Sequence, residues 1–180
     1  MYVSFPGPEL APSTLKALFQ GKYNVPSEFT YPENGLLATG GMLTAEQINN
    51  PNTLDHNDDL VRYVLKRGFT TKTTVGTLTR FMSFVRKYPS IKNVESLEVP
   101  IYSHTGAVGP FSRGGDSGSL IVSAVGEFVA LLTGGANSGT DGSDITFATH
   151  FEWVWELVEE EFPGASLDFD DLDTFLSDMA

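Results

Sequence analysis

The sequence predicts a mainly β protein built on a single six-stranded antiparallel barrel, with a C-terminal helix and an irregular N-terminal segment. Apolar and β-branched runs separated by turn signals fill residues 60–149, and a helical period replaces them from residue 151. No internal repeat is visible, which favours one barrel rather than two. The expected units are a strapping or connector segment (1–58), the barrel (59–150), the helix (151–163) and an acidic tail (164–180).

The first 58 residues do not have the pattern of a compact domain, because six prolines interrupt a largely polar sequence. Short capped helices are predicted at 13–20 and 44–48, and a strand at 35–39. We expect this segment to lie over the domain that follows, or to connect to another one.

The barrel strands are predicted at residues 60–67, 73–86, 94–103, 119–125, 127–132 and 145–149. Gly76 indicates a bend or bulge in the second strand, and Pro100 suits a sheet edge or bulge better than a central position. Loops of hairpin length between six such strands are typical of a small closed antiparallel barrel.

The predicted helix places one apolar face opposite a row of glutamates. Its apolar face contains Phe151, Val154, Trp155, Val158 and Phe162. Pro163 and Gly164 end the helix. The tail from Ser166 to Ala180 can form a further acidic helix, which is either a solvated face or a surface for a basic partner.

Composition excludes several classes of protein. The chain has 180 residues, a net charge of −12 and no cysteine, so a disulfide framework and a thiolate metal site are both excluded. Neither a signal sequence nor an apolar run of membrane-spanning length is visible, so we expect an intracellular setting or release from a longer precursor. No metal-ligand spacing or phosphate-binding loop is present, and no cofactor is expected.

The charges are divided between two parts of the chain. Residues 60–94 contain eight Lys or Arg and no acid, whereas no Lys or Arg follows Arg113. A basic run can indicate nucleic-acid binding, but the acidic half would repel phosphate. Attraction between two halves of one barrel is the simpler explanation, so neither nucleic acid nor a membrane is expected as a partner.

One glycine-rich stretch, Gly114–Leu120 with Ser117 near its centre, precedes a predicted buried strand. Gly115 can take a backbone conformation closed to other residues, so that the amides of Gly115 and Ser117 could turn toward one point. Two such amides can hold the oxyanion of a tetrahedral intermediate. Asp116 would then anchor the loop from behind. The letters alone favour an ordinary glycine-rich hairpin turn with a polar tip.

Three stretches together resemble the C-terminal barrel of trypsin-like, chymotrypsin-fold serine peptidases. They are Lys66–Gly76, the Gly-Asp-Ser-Gly-Ser loop with Phe111–Arg113 before it, and Leu131–Gly135 followed by Asp144–Thr149. The likeness is greatest to cysteine-free trypsin-like proteins of filamentous fungi, and it extends into 31–34 and 46–55. Lys72, Arg113 and His150 depart from the pattern of those relatives.

The resemblance implies a role for each matching position. Ser117 would be the nucleophile, and the amides of Gly115 and Ser117 would form the oxyanion hole, with Asp116 behind them. The implied substrate-binding residues are Phe111, Leu132, Thr133, Gly134 and Phe147. Phe111 falls near the pocket base, where trypsin has an aspartate, so no preference for Lys or Arg is implied.

The general base and its orienting acid come from the N-terminal barrel in this family, and the chain contains no such barrel. Of the three histidines, only His56, beside Asp55, is a possible base, and a solvated turn is the simpler explanation of it.

Two functions therefore remain open. The chain could be a serine endopeptidase component that acts when an N-terminal barrel is supplied, or a non-catalytic homologue that binds an extended peptide or a partner protein. Because the face that packs on the missing barrel would be exposed, we expect either self-association or a cover formed by residues 1–58.

Overall fold

The computed structural model describes residues 2–4, 13, 19, 29–33, 35–51, 53–54, 58–78, 80–87, 94–104, 109–136 and 145–167. These residues include ten strands and two helices. The strands are β1 (Tyr2–Ser4), β2 (Leu36–Ala38), β3 (Thr53–Leu54), β4 (Leu60–Arg67), β5 (Thr73–Leu78), β6 (Ser83–Lys87), β7 (Val94–Ser103), β8 (Leu120–Ser123), β9 (Phe128–Ala136) and β10 (Ile145–His150). The helices are α1 (Ala45–Asn49) and α2 (Phe151–Glu161). Of the helix predicted at 13–20, only residues 13 and 19 belong to the described part of the chain, and the acidic tail lies outside it from residue 168 onward.

Six antiparallel strands close a barrel, which confirms the predicted fold class. The order around the barrel is β10-β9-β8-β4-β5-β7, and β7 pairs back onto β10. Strand β6 lies outside this ring and, among the described strands, pairs only with the first half of β7. Two short strands, β1 and β2, form a separate antiparallel pair.

The prediction of one long strand over 73–86 was wrong, because the chain leaves the barrel after Leu78 and β6 begins at Ser83. Gly76 makes no bulge and keeps the regular register between β4 and β7. Its small size has a packing reason instead: a Cβ there would lie 2.7 Å from the side chains of Ile101 and Phe111. The predicted bend or bulge at Gly76 was therefore wrong, and the close approach of two side chains explains the glycine instead.

Pro100 lies inside β7, at the point where one of its neighbours changes. On one side β7 pairs with β6 as far as Glu98 and with β5 from Ile101 onward. On the other side Pro100 is opposite Phe147 of β10. A proline is tolerated more easily where the pairing on one side of a strand changes partner than in an uninterrupted ladder.

Strand β4 is buried on both faces, and its alternation defines two parts of the core. Val64 contributes to the barrel interior, whereas Tyr63 and Leu65 belong to a second cluster that includes Phe19 and Phe151. Alternate side chains of a strand point to opposite faces, so Arg62, Val64 and Lys66 share the inward face. The interior cluster consists of Leu43, Ile48, Val64, Leu78, Val99, Ile101, Phe111, Ile121, Val129, Ala130, Leu132 and Ala148.

The segment before the barrel is held on it by main-chain hydrogen bonds. The Leu43 amide donates to the Phe128 carbonyl (2.9 Å), and the Phe128 amide donates to the Gly41 carbonyl (3.0 Å). Helix α1 follows at once, with a capping box formed by Thr44 and Gln47. Arg62 donates to the Gln47 carbonyl at 2.9 Å, so α1 lies at the Arg62 end of the barrel.

Helix α2 follows β10 directly and packs on the outside of the barrel. Phe151 is buried and meets Phe128 edge to face, with ring centroids 4.8 Å apart. Phe162, predicted on the buried face, instead follows the last turn of the helix and is exposed. No helix in the described part of the chain is long and apolar enough to cross a membrane.

Candidate active site

Two consecutive turns shape the loop that carries Ser117. The Asp116 amide donates to the Arg113 carbonyl, and the Ser119 amide donates to the Asp116 carbonyl, both at 3.0 Å. Gly115 and Gly118 have φ angles of +99° and +81°, a region that favours glycine. Ser117 lies between these glycines and is exposed to solvent.

The carboxylate of Asp116 points away from the solvent and is fully buried. Its Oδ1 accepts the amides of Thr70 (2.7 Å) and Thr71 (3.2 Å). Its Oδ2 accepts the Arg113 amide (3.0 Å) and the Thr71 hydroxyl (2.7 Å). One side chain therefore joins the Ser117 loop to the turn between β4 and β5.

Lys66 lies near the C-terminal end of β4 with its side chain directed into the barrel, and it is the cation beside this carboxylate. Its Nζ is 3.5 Å from Asp116 Oδ2, and neither side chain has any exposed surface. The ammonium also lies 5.5 Å from the centre of the Phe111 ring, within the range of a cation–π contact. Lys66 and Arg62 share the inward face of β4 but lie toward opposite ends of the strand. Because α1 contacts Arg62, the Lys66–Asp116 ion pair and α1 lie at opposite ends of the barrel.

The two charged groups respond differently to burial. Burial alone would raise the pKa of Asp116, but hydrogen bonds from the Thr71 hydroxyl and from three amides outweigh it and lower the pKa to about 2. Burial lowers the pKa of Lys66, and the nearby carboxylate only partly offsets this. The asymmetry has a structural cause: Asp116 has four neutral donors besides the ammonium, whereas Lys66 has one anion.

Glycines allow the main chain to approach this carboxylate closely. A Cβ on Gly68 would lie 2.3 Å from Asp116 Oδ1. A Cβ on Gly115 would lie 2.5 Å from the Thr70 hydroxyl, in addition to the strain of its positive φ. Thr70 itself donates to the Gly114 carbonyl at 2.8 Å. Substitution at either glycine would push the two loops apart.

Two amides of the loop remain available for an anion. In the described parts of the chain, neither the Gly115 amide nor the Ser117 amide donates a hydrogen bond. Both residues are exposed, so each amide can be solvated or bind a ligand oxygen. These are the two donors expected for an oxyanion hole.

Strand β9 runs directly beside the loop. The Gly118 amide donates to the Leu132 carbonyl (2.7 Å), and the Leu132 amide donates to the Ser119 carbonyl (3.0 Å). Both main-chain groups of Leu132 are therefore used by the loop. The register of β9 with β10 shifts after this point, and Gly134 lies opposite Phe147.

Thr133 occupies the shift in register and contacts two groups. Its hydroxyl lies 3.2 Å from the Phe147 carbonyl and 3.4 Å from Glu98 Oε2. Glu98 also accepts the hydroxyls of Thr149 (3.0 Å) and Ser96 (2.7 Å), and only 4% of it is exposed. This hydroxyl-lined carboxylate was not predicted, since an isolated glutamate in a strand gives no signal of burial.

Phe111 is 1% exposed and belongs to the barrel interior, where it packs between Lys66 and Gly76. The resemblance places this residue near the base of a specificity pocket. Its main chain has a second role, because the Phe111 carbonyl accepts the Thr74 hydroxyl at 2.8 Å.

The described histidines have partners of their own. The His104 ring meets Tyr63 edge to face at 5.0 Å. His150 Nδ1 lies 3.8 Å from a Glu152 carboxylate oxygen, and burial is the main reason that the pKa of His150 is lowered. His56 lies outside the described residues. Within the described part of the chain, no side chain hydrogen-bonds to the Ser117 hydroxyl, and no cluster of His, Asp and Glu could hold a metal ion.

One feature of the sequence was relevant to the residues that support the loop. The run Lys66–Thr71 was recognised as part of the resemblance, but its contact with Asp116 was not predicted. A lysine at an inward-facing position of an otherwise apolar strand could have indicated a buried anion.

No protein-family model and no curated protein matches this sequence. Solved structures do match. A chymotrypsin from Cellulomonas bogoriensis is 17% identical with a TM-score of 0.48, and the match covers 72% of this chain and 57% of that protein. Rv3671c from M. tuberculosis H37Rv, in an inactive serine-to-alanine form, is 15% identical with a TM-score of 0.43. That match covers 71% of this chain and 56% of Rv3671c, so the chain spans little more than half the length of either protein.

Proposed function

We propose that this chain is the nucleophile-bearing barrel of a trypsin-like serine endopeptidase. Ser117 would attack the peptide carbonyl, and the amides of Gly115 and Ser117 would bind the oxyanion. The base would come from outside the described residues, either from His56 or from a partner barrel. The observation that supports this most directly is the buried Asp116, which fixes the Ser117 loop from below through four hydrogen bonds.

The proposed reaction follows from these roles. Ser117 Oγ bonds to the substrate carbonyl carbon as its proton passes to the base, and the carbonyl oxygen becomes the oxyanion. Collapse of this intermediate breaks the C–N bond, and the base returns the proton to the leaving amine. Water then hydrolyses the acyl-enzyme in the same way and restores the Ser117 hydroxyl.

The substrate main chain would lie along β9 by strand addition. Because both main-chain groups of Leu132 bind the Ser117 loop, we assign this pairing to the residues beyond it, from Thr133 to Gly134. The side chains of Leu132 and Phe111 are buried, so they would support this strand and the pocket from the interior.

Labelling by a fluorophosphonate probe, mapped by mass spectrometry, tests the proposal. General-base activation contributes on the order of 10²–10⁴ in rate, so Ser117 should react faster than other serines by a factor in that range. Ser117→Ala should abolish the labelling, whereas Ser119→Ala, in the same loop, should retain it.

Absence of labelling at Ser117 would argue against an active peptidase in the isolated chain. The second candidate, a peptide-binding homologue, is favoured by the absence of a hydrogen bond to the Ser117 hydroxyl within the described residues. That function predicts binding of extended peptides that does not change in Ser117→Ala.

A further inference from the structure

Strand β9 has an unpaired edge directly beyond the Ser117 loop. On one side, β9 pairs with β10 as far as Ala136. On the other side, its pairing with β8 ends at Leu131 and its hydrogen bonds to the loop end at Leu132. None of the described strands pairs with residues 133–136 on that second side, which we call the free edge. An unpaired edge of this kind can accept an extended peptide as an added strand.

A peptide on the free edge has a preferred direction. Every named pair of strands in the described residues is antiparallel, including β8 with β9 along the same edge. From Leu132 to Ala136, β9 runs away from the Ser117 loop, so a peptide antiparallel to it runs toward the loop. The C-terminal end of a bound peptide therefore lies nearest to Ser117.

Two amides and one arginine lie where such a peptide ends. Gly115 and Ser117 are exposed, and their amides donate no hydrogen bond to any described residue. Arg113 begins the turn that the Asp116 amide closes, and Gly115 lies within that turn. A turn of this kind brings its first and last Cα atoms within about 7 Å, so the long Arg113 side chain can reach an oxygen bound at the Gly115 amide. The guanidinium is exposed and has no hydrogen-bond or ion-pair partner among the described residues.

The charges around these amides leave Arg113 uncompensated. Residues 105–126 contain only two charged residues, Arg113 and Asp116, and Lys66 neutralises Asp116 beneath the loop at 3.5 Å. Strands β9 and β10 contain no Asp, Glu, Lys or Arg. Glu98 is on β7, which pairs with β10, so it lies on the side of β9 away from the free edge, and it is 4% exposed. Within the described residues, Arg113 is therefore an unpaired positive charge beside two unpaired amides.

We propose that this site binds the free C-terminal carboxylate of an extended peptide. The peptide adds to the free edge, its carboxylate accepts the amides of Gly115 and Ser117, and Arg113 is the counter-ion. Two oxygens that share one negative charge suit two N–H donors and a guanidinium better than a neutral amide group does. The inference rests on the peptide site that both candidate functions share, and it does not require catalysis by Ser117.

Paired peptides test this by fluorescence anisotropy at neutral pH, where a terminal carboxyl group, with a pKa of about 3.3–3.7, is ionised. The probes are N-terminally labelled hexapeptides ending in Ala, Leu or Phe, each made as the free acid and as the C-terminal amide. The full chain with Ser117→Ala keeps the amide of residue 117 and cannot cleave them. The free acids should bind at least about tenfold more tightly, with Kd on the order of 10–100 µM. The net charge of −12 favours the amides instead, so this preference requires a local cation.

Variants of Arg113 in the same background assign the preference. Arg113→Gln should reduce it to less than about threefold, because the carboxylate loses its counter-ion. Arg113→Lys keeps the charge without the two-pronged donor and should retain part of the preference. The matched control is Arg86→Gln, which makes the same change in net charge at an exposed arginine of β6 that is ion-paired with Glu95, and it should retain the full preference. Circular dichroism should show that every variant is folded.

Several results would overturn the proposal. Equal affinity for free acids and amides would do so, as would a preference that survives Arg113→Gln. A peptide amide ending in glutamate that binds as tightly as the free acids would show that a side-chain carboxylate is recognised instead of the chain terminus. Absence of binding by every peptide up to about 500 µM would also refute the shared peptide site. Fluorophosphonate labelling of Ser117 in the native chain tests catalysis separately, so the two proposals can fail independently.

Discussion

Removal of either charge in the Lys66–Asp116 pair should destabilise the barrel strongly. Deleting one partner of a buried ion pair typically costs about 3–5 kcal/mol, because the other charge is left uncompensated. Lys66→Met keeps the length of the side chain and leaves Asp116 with its four neutral donors, so we expect a loss near the lower end, about 3 kcal/mol.

Asp116→Asn should cost more, about 4–5 kcal/mol. It leaves the buried ammonium of Lys66 without an anion. Each carboxylate oxygen of Asp116 accepts a main-chain amide, so whichever way the new amide group is oriented, its NH₂ faces an N–H donor. The double variant removes both charges and should lose less than the sum of the two single losses, by about 1–3 kcal/mol.

Urea denaturation of the native chain, the two single variants and the double variant measures the coupling between the two charges, provided that the m-values of the four proteins agree. Lys72→Met is the control, since Lys72 is exposed and its ammonium bonds only to the Phe69 carbonyl among the described residues. That variant should change stability by less than about 0.5 kcal/mol. Additive losses, or a Lys66→Met variant as stable as the control, would refute the argument that these two charges act as a unit.

The low pKa of the Asp116 carboxylate also predicts that the free energy of unfolding falls at acidic pH. The folded-state pKa of Asp116 is about 2, below its ordinary value of 3.8, so its contribution is complete above pH 3.8 and is lost as the pH falls toward 2. The difference corresponds to about 2 kcal/mol. Thermal unfolding should show this loss in the native chain and not in Asp116→Asn. An equal loss of stability in both proteins at acidic pH would refute its assignment to Asp116.

Three further predictions concern the loop, the N-terminal segment and the helix start. Gly115→Ala should cost about 1–3 kcal/mol from its positive φ and should slow fluorophosphonate labelling, whereas Gly114→Ala, which has open space and no positive φ, should leave both unchanged. Gly126 has a φ of +90°, and a Cβ there would lie 2.0 Å from a carbonyl oxygen of the N-terminal segment. Gly126→Ala should therefore lower the free energy of unfolding by about 3 kcal/mol and make that segment more sensitive to protease. Gly40→Ala is the control and should change neither. Because the pKa of His150 is lowered in the folded chain, the unfolded chain protonates this histidine at a higher pH than the folded chain does. Lowering the pH through about 6.5 should therefore destabilise the native chain more than His150→Gln, as measured by chemical denaturation.

Local patterns were sufficient to predict most of the architecture. The strand predicted at 60–67 coincides with β4, and the capping residues at 44–48 gave α1, because alternation and capping are properties of neighbouring residues. The failure at 73–86 has the opposite cause. Every residue in that run suits a strand, and only the pairing partners available in three dimensions decide where the chain leaves the barrel.

The candidate site could be predicted in part for the same reason. Gly115 and Gly118 have the positive φ angles that the loop sequence suggests, since such angles depend on the residue itself. Three of the four hydrogen bonds to the Asp116 carboxylate come from residues about 45 positions earlier, and the hydroxyls around Glu98 come from three strands. A single sequence contains no direct signal for such contacts.

The distribution of these contacts bears on what the barrel can do alone. Every described partner of the Asp116 carboxylate belongs to the barrel itself, between Lys66 and Arg113. The loop around Ser117 therefore does not depend on another domain for its shape, because its anion and counter-charge are both internal. If a partner barrel exists, its role would be to bring a base to a loop that is already formed. Low reactivity of the isolated chain would then result from a missing proton acceptor, and the loop itself would need no rearrangement.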